Sequence, residues 1–350
     1  MLLVDLSLRA HAAFSQAWPA FALVAGLLLV GAAAAREGVF ARAGALAARA
    51  PGGAFALLAA LLLVEAAVTA VLNLDTAVVF MTPVLLHAAR RRGVPEAPFL
   101  YGAVFIANSA SLLLPGSNLT NLIVLAQDPV PGSTFAARLW PAWISAVAVT
   151  IVFVTCVHRR ELARDPEPDA GRLPFRPRTG ALGIVISGAL VLLLSHPALP
   201  VLGVGLVVAS LAPRDRRELL RAANPLLLLG MLAVATGLGT LARSIGGVGR
   251  LATHAGRWQS AWLGAGAAVL VNNLPAAMVL AAHAPAHPRA LLLGLDLGPN
   301  LAVTGSLSAV LWLQVARANG ARPSVVRYSL LGSVLVPLSL VLGSLASITV

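Results

Sequence analysis

Three of the thirteen acidic residues, Glu65, Asp75 and Asp296, lie inside apolar segments. A carboxylate at the centre of a membrane helix costs about 2.5–3.5 kcal/mol on insertion scales. One that faces a wet cavity can alternate between charged and neutral forms, which is the chemistry of proton or cation coupling. The plainer alternative is a hydrogen bond to amides freed at a helix break or, for Glu65 in the middle of its segment, a pairing with Arg or backbone. Neutral polar side chains gather near Asp75 and Asp296: Asn73 and Thr76; Ser117, Asn118, Thr120 and Asn121; Asn272 and Asn273; Asn300, Thr304 and Ser306. Amides and hydroxyls beside half-helix amino termini suit an oxyanion or a small polyhydroxyl solute. Interhelical hydrogen bonding, at about 0.6 kcal/mol per contact, is the alternative use for the same groups.

Other chemistry is poorly supplied. His254, His283 and His287 lack metal-ligand spacing, and His87 and His158 fall at segment ends. No nucleophile–base pair or metal set points to an enzyme, and no cofactor is implied. A single cysteine, Cys156, excludes an internal disulfide and a thiolate cluster.

The elements that must position these groups are helices interrupted within hydrocarbon. In Gly294–Trp312, Pro299 removes an amide donor and Gly298 and Gly305 relax the backbone, so a helix is expected to stop near 297 and restart near 304. Freed backbone groups at bilayer depth are tolerated where they are buried in protein or line a wet cavity. The chain as a whole fits such an environment: 350 residues, 59% hydrophobic, 11% charged, with mean hydropathy +0.88. Its formal charge of +12 comes from Arg alone, concentrated in short loops. Without a basic domain or aromatic–basic interleaving, that charge reads as membrane topology and excludes nucleic acid.

An all-α polytopic membrane protein is therefore expected, built from inverted repeats that each contain a re-entrant hairpin and a discontinuous helix. The first repeat covers 1–157, with a span at 18–35, a hairpin at about 54–89 turning near Asn73–Thr76, for which a simple pair of full spans also fits, a broken helix at about 97–126, and a span at 139–157. The broken helix is interrupted by Ser109, Ser111 and the 115–121 stretch. The run from Trp18 to Ala35 also resembles a signal peptide, but the topology needs it retained. An Arg-rich cytoplasmic linker occupies 158–178. The second repeat covers 179–350, with spans at 181–194, 199–211 and 225–241, a hairpin at about 258–282, a broken helix at about 290–316 and a last span at 325–348. Arg243, Arg250 and Arg257 fall in a loop that this topology places outside, against the charge rule. Gly203, Gly205, Gly264 and Gly266 read as close helix packing.

Asp296-Leu-Gly-Pro-Asn300-Leu-Ala-Val-Thr304-Gly-Ser306, Asn272-Asn273-Leu-Pro275, Asp75-Thr76 through Thr82-Pro83, and Ser111 through Asn121 together resemble the ArsB-type arsenite/antimonite efflux permeases of the ion transporter superfamily. Leu74 and Val303 depart from that family's pattern. The resemblance implies export of trivalent arsenic or antimony hydroxides by a multi-pass protein of the bacterial inner membrane, coupled to proton entry, with an elevator-like motion. With Cys156 alone, a three-thiolate arsenic site is excluded, and recognition would fall to the Asn, Ser and Thr groups. A sodium- or proton-coupled carrier of dicarboxylates or inorganic anions, or a cation/proton antiporter, is the alternative on the same scaffold. The expected partners are a small inorganic solute, H+ or Na+, and the lipid bilayer; a homodimer and a docked soluble ATPase are left open.

Overall fold

Caps and helix breakers set the element boundaries closely. The computed structural model describes residues 2–49, 52–163, 179–212, 216–245, 247 and 250–347, and the regular elements among them are all helical. Five of these helices are long and apolar enough to cross a membrane: Asp5–Arg36, Ala54–Val71, Gly132–Val157, Arg217–Ser244 and Val325–Ala346. Residues 164–178 of the expected linker lie outside the described residues, and Arg159–Leu162, at its start, is helical.

The chain begins with one helix, Leu2–Arg36, of which the expected span at 18–35 is only the second half. Local pairing explains the extension. Arg9 and Asp5 face each other across one turn at 2.6 Å, an (i, i+4) ion pair, and Gln16 donates to the carbonyls of Ile123 and Ala281 at 3.0 and 2.9 Å. The basic stretch that follows also folds, as the short helix Val39–Ala47.

The first hairpin has arms Ala54–Val71 and Leu74–Arg91. The first broken helix runs Glu96–Ala110, loosens through a 3-10 turn at Pro115–Ser117, and resumes as Leu119–Leu125. The second hairpin is shorter, with arms Arg257–Val271 and Asn273–Leu280. The second broken helix stops at Leu297, passes through 3-10 turns at Gly298–Leu301 and Val303–Gly305, and resumes at Leu307. Both halves thus show hairpin, broken helix and long helix in the same order, the long helices being Gly132–Val157 and Val325–Ala346.

The two hydrophobic cores do not follow the two halves of the sequence. One contains Leu58, Leu61, Met81 and Leu85 of the first hairpin and Phe105 of the first broken helix, together with Ala309 and Trp312 from the far part of the second. The other contains Leu274, Met278, Leu291 and Leu295 from the second hairpin and second broken helix, together with Leu119, Ile123 and Val124 from the far part of the first. Each broken helix therefore spans both cores, and its polar interruption lies where they meet. Buried hydrogen bonds tie the joins: the Trp312 indole donates to the Leu100 carbonyl at 2.8 Å, and the Tyr328 hydroxyl donates to the Pro299 carbonyl at 2.8 Å. At one end of the molecule Arg327 lies 5.4 Å from the Tyr101 ring centre and donates to His158 Nε2 at 2.9 Å.

Helices Thr179–Leu193, Ala198–Leu211 and Pro225–Ser244 pack on the leading helix. Backbone meets backbone there: a Cβ added at Gly26 would stand 2.5 Å from the Val201 carbonyl oxygen, and one at Gly205 would stand 2.7 Å from the Gly26 oxygen. Gly264 packs similarly against Leu291, whereas Gly203 and Gly266 face open space, so one member of each expected glycine pair makes the close approach. Gly26→Val should lower stability by about 1–3 kcal/mol through overpacking, read as a reduced midpoint of thermal unfolding in detergent. Gly203→Ala should leave the midpoint unchanged or raise it, since it adds helix propensity with nothing in the way.

Candidate functional site

Four helices begin at one small cavity, and each is capped by a side chain from the polar interruptions. Asn73 Oδ1 accepts from the Thr76 amide at 2.6 Å, Asn118 Oδ1 from Thr120 at 3.2 Å, Asn272 Oδ1 from Leu274 at 3.2 Å, and Ser306 Oγ from Ala309 at 3.2 Å. These caps satisfy amides that a broken helix would otherwise leave bare. Asn272 has φ 81° and ψ 147°, a positive-φ conformation that residues with a side chain rarely adopt, and its Nδ2 donates to the Thr304 carbonyl at 3.0 Å. The turn of the second hairpin is thereby tied to the second break.

The cavity measures about 20 Å³ and is lined by Asp75, Asn118, Asn272, Asn273, Ser306 and Ser308 beside Leu74, Leu119, Met231, Leu274 and Leu307. Both hairpin turns and both helix breaks contribute to the wall. Four positive helix ends point toward it, and its lining holds one carboxyl, that of Asp75, and no cationic side chain. Asp75 is 6% exposed, and its carboxyl forms no hydrogen bond with the described residues. An apolar groove of about 660 Å³ shares Met231, Asn272, Leu274 and Leu307 with this cavity.

Asp296 sits one layer behind. It is fully buried, and its Oδ1 accepts from Asn118 Nδ2 and from Thr120 Oγ1, both at 2.8 Å, while Oδ2 has no protein partner. The carboxyl of one break thus holds the cap of the other, and Asn118 connects it to the cavity. A second bridge joins the same two helices: Asn108 Nδ2 donates to Asn300 Oδ1 at 2.9 Å, and Asn300 Nδ2 reaches the Phe105 carbonyl and Ser109 Oγ at 3.3 Å. Ser306 and Ser308 hydroxyls lie 3.4 and 3.3 Å from Asn108 Oδ1.

The structure separates the expected site residues by position. Asp75, Asn118, Asn272, Asn273 and Ser306 line the cavity; Thr120, Asn300 and Asp296 brace it from behind. Ser117 Oγ lies 2.5 Å from the carbonyls of Ser111 and Leu114, and Asn121 Nδ2 donates to the same two carbonyls at 2.8 and 3.2 Å. Those two side chains organise the first break. Asn73 Nδ2 and Thr76 Oγ1 are buried without a protein partner, and Thr304 exposes its side chain while its carbonyl is bound. Glu65 is fully buried on the first hairpin with neither carboxyl oxygen partnered; it is absent from the cavity wall.

Asn108, Ser308 and Met231 are part of the site or its frame but are not among the expected residues. Asn108 carried a signal, as a lone amide ending the run Val104-Phe-Ile-Ala107 inside an apolar helix. Met231 carried none, because its role comes from a helix that packs alongside.

Residues 2–316 match the citrate transporter family. The arsenical pump membrane protein of Escherichia coli K12 is 28% identical to this chain over 72% of the chain and 68% of its own length. A silicon efflux transporter of Oryza sativa subsp. japonica is 26% identical over 41% of this chain and 30% of its own. Among solved structures, the YdaH transporter of Alcanivorax borkumensis superposes with a TM-score of 0.60 at 15% identity, covering 97% of this chain and 86% of that one. That likeness concerns the fold.

The Asn108–Asn300 bridge should behave as one buried unit. Asn108→Ala and Asn300→Ala should each cost about 1–3 kcal/mol by orphaning the partner amide, and the double variant should cost less than their sum. Thermal unfolding of the four proteins in one detergent measures the coupling; additive losses would mean that the bridge contributes nothing.

Proposed function

Since this chain belongs to the citrate transporter family and is a secondary membrane transporter, we propose that it exports arsenite and antimonite as their neutral trihydroxides in exchange for protons. The observation that carries this reading is the cavity wall: four helix amino termini, three Asn amides and two Ser hydroxyls around a single carboxyl, with no cationic side chain. A neutral solute rich in hydroxyls can donate to Asp75 and the amide oxygens and accept from amide NH₂ groups. A multiply charged carboxylate would meet Asp75 without an Arg to offset it. The dipoles taken alone would also accept an oxyanion, and for that reason the anion carriers remain the competing reading. The names of the bacterial arsenical pump and the plant silicon transporter point in the same direction as the cavity chemistry.

A volume of about 20 Å³ holds roughly one water, less than a trihydroxide needs. Binding then requires the hairpin turns and helix breaks to part. In the proposed cycle Asp75 takes a proton at the cavity and Asp296 responds through Asn118, so that occupancy by proton and by solute alternate. Asn73, Thr76, Asn273, Asn300, Thr304 and Ser306 serve the solute or its frame, and Glu65 is held as an additional proton carrier on the first hairpin. The shared order of hairpin, broken helix and long helix supports reading 1–157 and 179–350 as inverted repeats that present the site alternately to either side.

Arsenite uptake into everted vesicles, with and without an imposed proton gradient, tests this reading beside citrate, succinate and sulfate. Gradient-driven arsenite uptake is expected, falling by about tenfold or more in Asp75→Asn and Asp296→Asn at equal amounts of monodisperse protein. Uptake of citrate, succinate or sulfate in place of arsenite would retain the transporter and replace its solute; unchanged gradient dependence in both variants would remove the two carboxyls from coupling.

A further inference from the structure

A second cavity, of about 430 Å³, lies away from the central site, where the far end of Leu119–Leu125 approaches the starts of Gly132–Val157, Arg257–Val271 and Pro288–Leu297. Its size is within the range of small-molecule sites, about 300–1,000 Å³. Arg138, Arg257, Arg289 and His287 line it with Asp128 and Gln127, so three guanidiniums face one carboxylate. Val124, Leu125, Phe135, Leu139 and Leu292 supply apolar lining to the same cavity. Charged and apolar groups within one cavity fit an amphiphilic anion better than a free ion.

The positions of the Arg residues strengthen this. Arg257 is the first residue of its helix, Arg289 the second of its own, and Arg138 lies in the second turn of its helix. Cations near the positive end of a helix are unfavourable by a few tenths of a kcal/mol or more, and no acidic residue occupies the first turn of any of the three. The Arg138 and Arg289 guanidiniums form no hydrogen bond or ion pair with the described residues, while that of Arg257 donates to the Ser347 carbonyl at 3.1 Å. An anion seated among them would meet the guanidiniums and the helix ends together. It would also account for Arg257, which membrane topology leaves unexplained; Arg243, from the same stretch, is instead committed to Gln16 and the Gly239 carbonyl.

We propose that this cavity binds the phosphodiester headgroup of an anionic membrane lipid, with Arg138, Arg257 and Arg289 on the phosphate and the first acyl carbons over Phe135, Leu139 and Leu292. The site is independent of which solute the central cavity moves. It places a lipid against the end of one broken helix and the start of the other, so that occupancy bears on both.

The test is intact-protein mass spectrometry of detergent-purified full chain offered phosphatidylglycerol, phosphatidylcholine or inorganic phosphate. Wild type should retain one phosphatidylglycerol and no phosphatidylcholine. With each surface Arg contributing a factor of about five, the Arg138→Gln/Arg289→Gln double variant should lose about twenty-five-fold in retention. Arg42→Gln, near the other end of the leading helix, should lose nothing, and each single variant should lose an intermediate amount, which guards against misfolding of the double. Equal retention by wild type and double variant, equal retention of the two lipids, or Arg-dependent binding of inorganic phosphate without lipid would each overturn the lipid assignment.

Discussion

A helix that stops inside hydrocarbon must find partners for the amides and carbonyls it releases, and the rest of this protein is arranged to supply them. Four such stops occur, and each is capped by Asn or Ser at its restart. Three of the stops are tied to one another: Asp296 grips the cap Asn118, Asn108 grips Asn300, and the cap Asn272 holds the Thr304 carbonyl. The first hairpin turn shares the cavity with them, while the Asn73 side chain bonds only within its own turn. Moving one member of the linked set therefore disturbs partners on both broken helices.

This interdependence sets terms for transport. In the proposed cycle Asn118, Asn272 and Ser306, which would receive a solute, are already hydrogen-bonded within the protein, so at these groups solute entry exchanges internal hydrogen bonds for external ones at small net cost. Asp296 Oδ2, Asn121 Oδ1, Asn73 Nδ2 and Thr76 Oγ1 are buried without protein partners and give the polar centre spare capacity. A fully satisfied polar core would be more stable and less able to rearrange.

Much of this was legible in the sequence because backbone chemistry is local. Pro299 between Gly298 and Gly305 marked the stop at Leu297, and the polar stretches at Asn73–Thr76 and Asn272–Pro275 marked the hairpin turns. The restart at Leu307 lies beyond the one expected near 304, because the second 3-10 turn continues to Gly305 and Ser306 supplies the cap. The length of the leading helix was not legible. A window that penalises Asp5, Arg9 and Gln16 as polar has no means of knowing that the first two neutralise each other and that the third is bonded to Ile123 and Ala281. Nor did the order of segments reveal that Leu119–Leu125 and Leu307–Ala318 pack into opposite cores, because hydropathy is the same whichever apolar neighbour a helix chooses. Asn108 was missed for a related reason: an isolated amide gains meaning only when its partner, 192 residues away, is placed beside it.

The exchange of half-helices between cores also bears on how the chain is made. A ribosome delivering this protein into a membrane produces the first hairpin long before Trp312, the fully buried indole that completes that hairpin's core. The early hydrophobic segments must therefore wait in lipid, inserted but incompletely packed, until the long stretch of chain between Arg91 and Trp312 has been made. Insertion and tertiary closure are separate events in such a chain, and a ribosome that stalls before the second broken helix leaves a product with neither core complete.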